Sequence, residues 1–238
     1  MSSPRKHEGK LRPGDRHPRA YVGPPDQYDF MGATQFSLLA ALGLRAHHSL
    51  LDFGCGSLRA GRLLIPYLEP GNYFGIDPNR WLIEHALQEE LGHCLVELRN
   101  PSFHFGNDFA FDVFGRPFDY LVMQSILSHT GLDLLRTCLE SAATVMTTKS
   151  RLVLTAIHEE GASRSMPGTE FSGWRYPGCV WFTRQLFSET CEEFGYAAQP
   201  LRWFHPRQSW WLLGRSEEAL LDDVTAEQLY GFPVSEEH

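Results

Sequence analysis

The segment Asp52-Phe53-Gly54-Cys55-Gly56 closes a short apolar run, Ser49-Leu50-Leu51, with two glycines spaced one residue apart. Glycine lacks a Cβ, so this turn lets a ligand approach the backbone at the start of a following helix. Two ligand chemistries fit. A dinucleotide needs G-x-G-x-x-G, but counting from Gly54 the last position is Arg59, and no run of free amides is kept for a pyrophosphate. A ligand with a ribose and an amino-acid tail but no phosphates needs only the two glycines and an acid at the end of the next strand. Asp77, followed by Pro78, supplies that acid, because a carboxylate can accept two charge-assisted hydrogen bonds from a ribose diol. The ribose of a dinucleotide would use the same acid. Asn107-Asp108 narrows the choice, since a carboxylate there can accept from an adenine amino group while Phe109 covers the ring. Gln124-Ser125 are the first polar side chains after the apolar FDYLVM, where sheets of parallel strands present their ligand-binding edge.

These residues must be carried by elements that end in register. The runs SLLDF, NYFGI, SFHFG, FDYLVMQS and RLVLTAI read as five strands. Between them, LRAGRLLIPYL, WLIEHALQEEL and residues 132–146 have helical spacing, and an earlier amphipathic helix spans Tyr28 to Leu42 and stops at Gly43. Near-continuous apolar strands alternating with helices predict an α/β fold whose largely parallel sheet is covered on both faces. The last third changes character. About twenty residues of loop composition, 158–180, precede a helix over 183–194, and AAQPLRWF with QSWWLLGR then reads as an antiparallel hairpin around His205-Pro206-Arg207.

The set LLDFGCGSLRAG, YFGID, FGND, FDYLVMQSILSH and RLVLTAI, closed by that hairpin, resembles the class I S-adenosylmethionine-dependent methyltransferases over about residues 29–214. The resemblance implies a seven-stranded, mostly parallel sheet in the order 3-2-1-4-5-7-6 with helices on both faces. It implies S-adenosylmethionine as cofactor and S-adenosylhomocysteine as product. It also implies that Asp52, Gly54, Cys55 and Gly56 line the cofactor's amino-acid end, Asp77 its ribose, and Asp108 with Phe109 its adenine; Pro78, Asn107, Gln124 and Ser125 are further cofactor-binding candidates. One departure stands out: Leu58 occupies the place where the family's D-x-G-x-G-x-G turn has its third glycine. Arg59 reads first as a solvated helix residue and second as a partner for the cofactor's carboxylate or the substrate.

Methyl transfer is an in-line displacement at a sulfonium carbon, so positioning can supply much of the catalysis and a base is needed only when the nucleophile must lose a proton. His129 is the first candidate, at a spacing after the fourth strand that resembles a histidine of some small-molecule relatives; capping the helix that begins near Gly131 is the alternative. His158-Glu159-Glu160 is the second candidate. Phe171, Trp174, Tyr176 and Trp181 in and just after the 158–180 segment, with Tyr21 and Tyr28 from the arm and its end, predict an aromatic lid around a small acceptor, packing against the sheet being the plainer role.

The chain has 238 residues, 42% hydrophobic, with a formal charge of −8. That length supports one substantial domain. Three parts are expected: an extended basic arm over 1–25, a methyltransferase domain over 26–215 with its insert, and an acidic tail over 216–238. Residues 1–20 hold six basic and two acidic residues, whereas 216–238 hold seven acidic residues and no Lys or Arg. Each end reads first as solvated. The negative body disfavours a nucleic-acid partner, although the arm leaves room for a docked protein or RNA substrate, and a non-catalytic cofactor-binding scaffold is the third reading. Five cysteines without a C-x-x-C pair, no metal-ligand histidine spacing, no signal peptide and no long apolar run predict a cytoplasmic protein with reduced thiols and no metal. A homo-oligomer remains open.

Overall fold

The computed structural model describes residues 11–229. Five parallel strands, β1 (Leu50–Phe53), β2 (Tyr73–Ile76), β3 (Ser102–His104), β4 (Phe118–Met123) and β5 (Met146–Ala156), are extended at one edge by the antiparallel hairpin of β8 (Ala197–Leu201) and β9 (Ser209–Gly214). The order is β3-β2-β1-β4-β5-β9-β8. Two further strands, β6 (Met166–Pro167) inside the 158–180 insert and β7 (Val180–Trp181) at its end, pair separately. With those two set aside, the order is the 3-2-1-4-5-7-6 expected.

Alternation along each strand divides the core between two faces. Leu51, Phe53, Leu121, Met123, Leu152, Leu154, Trp211 and Leu213 pack beneath α6 (Leu132–Thr144) and α7 (Arg184–Glu193). Leu50, Val122, Val153, Trp210 and Leu212 face α2 (Tyr28–Ala41), α3 (Gly61–Tyr67) and α4 (Arg80–Ala86). Burial on both faces is why these strands read as apolar runs rather than as an alternating pattern.

Several boundaries differ from the sequence reading. The helix expected over WLIEHALQEEL is α4 followed by a wider turn over Leu87–Leu91, and Gly92 at φ +78° starts a separate α5 (His93–Arg99). β5 begins earlier than Arg151, because a register shift lets Met146 pair with Phe118 before Arg151 pairs with Tyr120. The arm is not extended throughout. Pro18–Tyr21 forms a helical turn, α1, capped by the His17 side chain, and residues 1–10 lie outside the described residues. The acidic segment is not wholly solvated either: Leu220, Leu221 and Leu229 pack on the α2/α3 side of the core, leading into α8 (Asp223–Gln228). Glu236 and Glu237 lie outside the described residues. No helix among the described residues is long and apolar enough to cross a membrane.

Candidate active site

A cleft of about 910 Å³ opens at the carboxyl ends of the parallel strands. One half is built from strand ends and the turns that leave them, the other from loops that fold over.

In the strand-end half, the turn after β1 is held against β2 by Gly54 and Cys55 amides donating to Ile76 O at 2.7 and 3.2 Å. Gly54 has φ +75°, and a Cβ there would sit 2.1 Å from Ile126 Cδ1, so glycine is required both by conformation and by the close crossing of the β4 connection. Leu58 adopts φ +54°, the left-handed region that the missing glycine would enter freely. Its fully buried side chain packs on the α2/α3 side, which holds it in a conformation costing about 1–2 kcal/mol for an L-residue. The departure in sequence thus leaves the path of the turn in place.

Asp77 accepts from Gly56 N at 2.9 Å through Oδ2, and from Asn79 N and Nδ2 at 2.8 and 3.0 Å through Oδ1. Oδ2 has one recorded donor and therefore room for another. Burial pushes the Asp77 carboxyl up, and the three donors pull it back. Asp52 is buried deeper, with the Tyr73 hydroxyl donating to it at 2.8 Å, and burial pushes its carboxyl up to about 7. Arg59 is not a solvated helix residue. It lines the cleft half-buried, donates to Val22 O at 3.1 Å and has no ion-pair partner among the described residues. Burial lowers its pKa without removing its charge.

At the boundary, Gln124 and Ser128 line the cleft with Gln124 Oε1, Gln124 Nε2 and Ser128 Oγ buried and without partners. Ser125, at φ +63°, receives Gln208 Nε2 on its hydroxyl at 2.8 Å and donates its amide to Thr155 Oγ1 at 2.7 Å, tying β4, β5 and the hairpin connection together.

The loop half holds two histidines in opposite hydrogen-bonding states. His129 Nδ1 lies 2.6 Å from Gly178 O, so Nδ1 is the donor there and Nε2 is the nitrogen left to meet an acceptor molecule. His205 Nδ1 accepts from the amides of Arg207 and Gln208 at 3.3 and 3.0 Å, which puts the proton on Nε2. Burial, with Arg59 and Arg207 nearby, takes His205 down to about 4 and keeps it neutral. The rings of His129 and Tyr176 meet edge to face at 5.2 Å.

A strap over residues 12–24 runs along the mouth. Tyr176 donates to Tyr21 O at 2.9 Å, Tyr21 packs edge-on to Trp81, and the Val22 side chain lies over Gly56. Arg19 bonds Asp29 and Glu90, both at 3.1 Å, and Arg62 bonds the same two acids.

Of the residues named from sequence, Asp52, Gly54, Cys55, Gly56, Asp77, Pro78, Asn107, Gln124, Ser125, His129, Tyr21, Trp174 and Tyr176 line this cleft. Five others do not. Asp108 is exposed outside it. Phe109 is buried between the faces of Phe53 and Trp174, at 4.7 and 5.5 Å, and so is a core side chain rather than a cover for a ring in the cleft. Phe171 packs partly buried at the edge of that same core. Tyr28 is buried with its hydroxyl donating to Ser57 O at 2.9 Å, and Trp181 belongs to β7. The second base candidate also falls outside the cleft. His158 uses both ring nitrogens, with Phe182 O and with Trp211 Nε1, and Glu160 pairs with Arg184. Gln35, Asn79, Ser128, Cys179, His205 and Gln208 also line the cleft but were not expected as site residues, although Ser128, His205 and Gln208 lie in segments that carry the fourth strand and the hairpin. No group of three or more His, Cys, Asp or Glu able to hold a metal occurs among the described residues.

The model of the methyltransferase domain family matches residues 51–152. Solved structures share the fold at low identity. CcbJ methyltransferase from Streptomyces caelestis is 16% identical, with 87% of this chain and 99% of that one covered and a TM-score of 0.63. Magnesium protoporphyrin IX methyltransferase from Synechocystis, solved with bound S-adenosylhomocysteine, is 15% identical over 81% and 84%, at 0.58. An O-methyltransferase family protein from Burkholderia thailandensis is 14% identical at 0.57, and the match takes in 79% of this chain but only 58% of that longer one. No curated protein sequence matches the chain. The match gives residues 51–152 a methyltransferase domain, and the seven-stranded order is that of the Rossmann-like methyltransferase fold, whose methyl donor is S-adenosylmethionine.

Proposed function

We propose that the protein transfers a methyl group from S-adenosylmethionine to a small-molecule acceptor, with the cofactor in the strand-end half of the cleft and the acceptor in the loop half. Bound there, the cofactor supplies an electrophilic sulfonium methyl. The glycine turn admits its amino-acid end against the backbone, and Arg59, a cation without a carboxylate partner, takes its carboxylate. Asp77 Oδ2 accepts from the ribose hydroxyls, and Asn107 faces the adenine end. His129 is the base: with Nδ1–H held by Gly178 O, its Nε2 is free to take a proton from an acceptor hydroxyl or amine. His205, with the opposite tautomer, donates a hydrogen bond and does not abstract.

The observation that carries the small-acceptor reading is the bridging of strap and insert across the cleft, through the Tyr176 hydroxyl on Tyr21 O and the contact of the two rings. Two of the arm's described cations favour the same reading, because Arg19 is engaged with Asp29 and Glu90 and Arg16 lies over the Trp81 ring. We assign residues 26–215 to the methyltransferase domain, 158–180 to its insert, 1–25 and 216–238 to the flanking arm and tail, and the protein to the cytoplasm. Labelled methyl transfer from S-adenosylmethionine into fractionated cell extract tests this. Label is expected in the low-molecular-mass fraction; label confined to protein or RNA would overturn the small-acceptor assignment.

A further inference from the structure

Cys179 lines the loop half of the cleft and is half-buried. Two side chains from distant elements meet its sulfur: Arg207 Nη2, from the β8–β9 connection, at 2.9 Å, and His129 Nδ1, from the turn after β4, at 4.0 Å. Arg207 has no ion-pair partner among the described residues, so its charge is directed at the sulfur. The His129 contact and then the guanidinium hold the Cys179 thiol below its ordinary range against the opposing effect of burial. The other cysteines differ. Cys55, Cys138 and Cys191 are buried, with burial pushing their thiols up, Cys191 to about 12, and Cys94 is exposed on α5. The sulfur also borders a ligand volume, because Gln124 and Ser128, both more than nine-tenths buried and lining the same cleft, leave amide and hydroxyl atoms without a partner.

We propose that Cys179 is a modification site for soft electrophiles and hydrogen peroxide, and that its modification blocks the loop half of the cleft while the strand-end half still binds cofactor. With an alkyl iodide the sulfur–carbon bond forms as the carbon–iodine bond breaks and iodide leaves. With hydrogen peroxide the thiolate attacks one oxygen, the O–O bond breaks, the sulfur becomes a sulfenic acid and the second oxygen departs as hydroxide. The blocking part of the proposal rests on the division of the cleft into cofactor and acceptor halves given above; the reactivity part does not.

The test is iodoacetamide labelling of the intact protein, followed at the Cys179 and Cys94 peptides by mass spectrometry across a pH series. Near neutral pH, Cys179 is expected to react about tenfold faster than Cys94, with its rate midpoint at lower pH. Arg207→Gln should slow it by about threefold or more and move the midpoint up. The labelled protein should keep S-adenosylhomocysteine affinity to within about threefold and lose methyl transfer to the extract, while Cys179→Ser loses none of its own transfer on the same treatment. Equal rates at the two cysteines, or no effect of Arg207→Gln, would overturn the reactive site; transfer retained after complete Cys179 labelling would overturn the block. Failure of S-adenosylhomocysteine to bind the unlabelled protein would count against the cofactor assignment instead, leaving the labelling result to stand by itself.

Discussion

The two halves of the cleft are built by different means. The strand-end half is made of backbone at the ends of adjacent parallel strands: Gly54 and Cys55 amides on Ile76 O, and the Asp77 carboxylate reaching back to Gly56 N. Its parts lie 21 to 22 residues apart in sequence and are brought together by the β1–β2 pairing itself. The loop half is made of side chains from the strap, the insert and the hairpin connection, such as Tyr21, Cys179 and Arg207, which meet only after the whole domain has closed. A site built from strand register tolerates little change in ligand; one built from loops can change with its acceptor while the fold stays constant.

This contrast also explains what could be read before the structure. Asp52, Gly54, Gly56 and Asp77 were legible because backbone geometry demands particular residue types at strand ends, and the strand order followed from the family those residues resemble. Tertiary packing decided the rest. Phe109 and Tyr28 look the same in sequence as Tyr176 but are consumed by the core, and only the fold separates them. Arg59 looked solvated because nothing local reveals that the strap carbonyl of Val22 comes down on it. Cys179 and Gln208 carried no signal, since their partners Arg207 and Ser125 lie 28 and 83 positions away.

If the loop half does chemistry and the strand-end half only binds, His129→Ala should separate them most sharply. Turnover on the true acceptor should fall by about 10²-fold or more while S-adenosylhomocysteine affinity stays within about threefold. Unchanged turnover would remove the base from the loop half.

A smaller effect is expected from Asp52→Asn, read by denaturation of the cofactor-free protein across pH. The folded Asp52 carboxyl titrates near 7, above its unfolded value. Between the ordinary carboxylate range and pH 7 the folded state therefore holds a proton that the unfolded state has released, and its contribution to stability is lost as pH rises through that window. The Asn variant has no such loss. It should gain on wild type between about pH 4 and 7, by roughly 2–4 kcal/mol in total, and run parallel above it. A constant difference across the series would contradict the burial of this carboxyl.

The smallest effect belongs to the strap. Asp29 is largely exposed and the Arg19 pairs are partly screened, so Arg19→Ala should weaken S-adenosylhomocysteine binding by no more than about threefold, with the difference shrinking in high salt. A large, salt-independent loss would mean that the strap belongs to the binding half itself.

The central claim, that the strand-end half holds S-adenosylmethionine through the acid that ends β2, is tested most directly by calorimetry with S-adenosylhomocysteine on wild type and Asp77→Ala. Wild type should bind in about the micromolar range, and the variant, folded by circular dichroism, about 10- to 100-fold more weakly. Equal affinities in the two proteins would contradict the assignment.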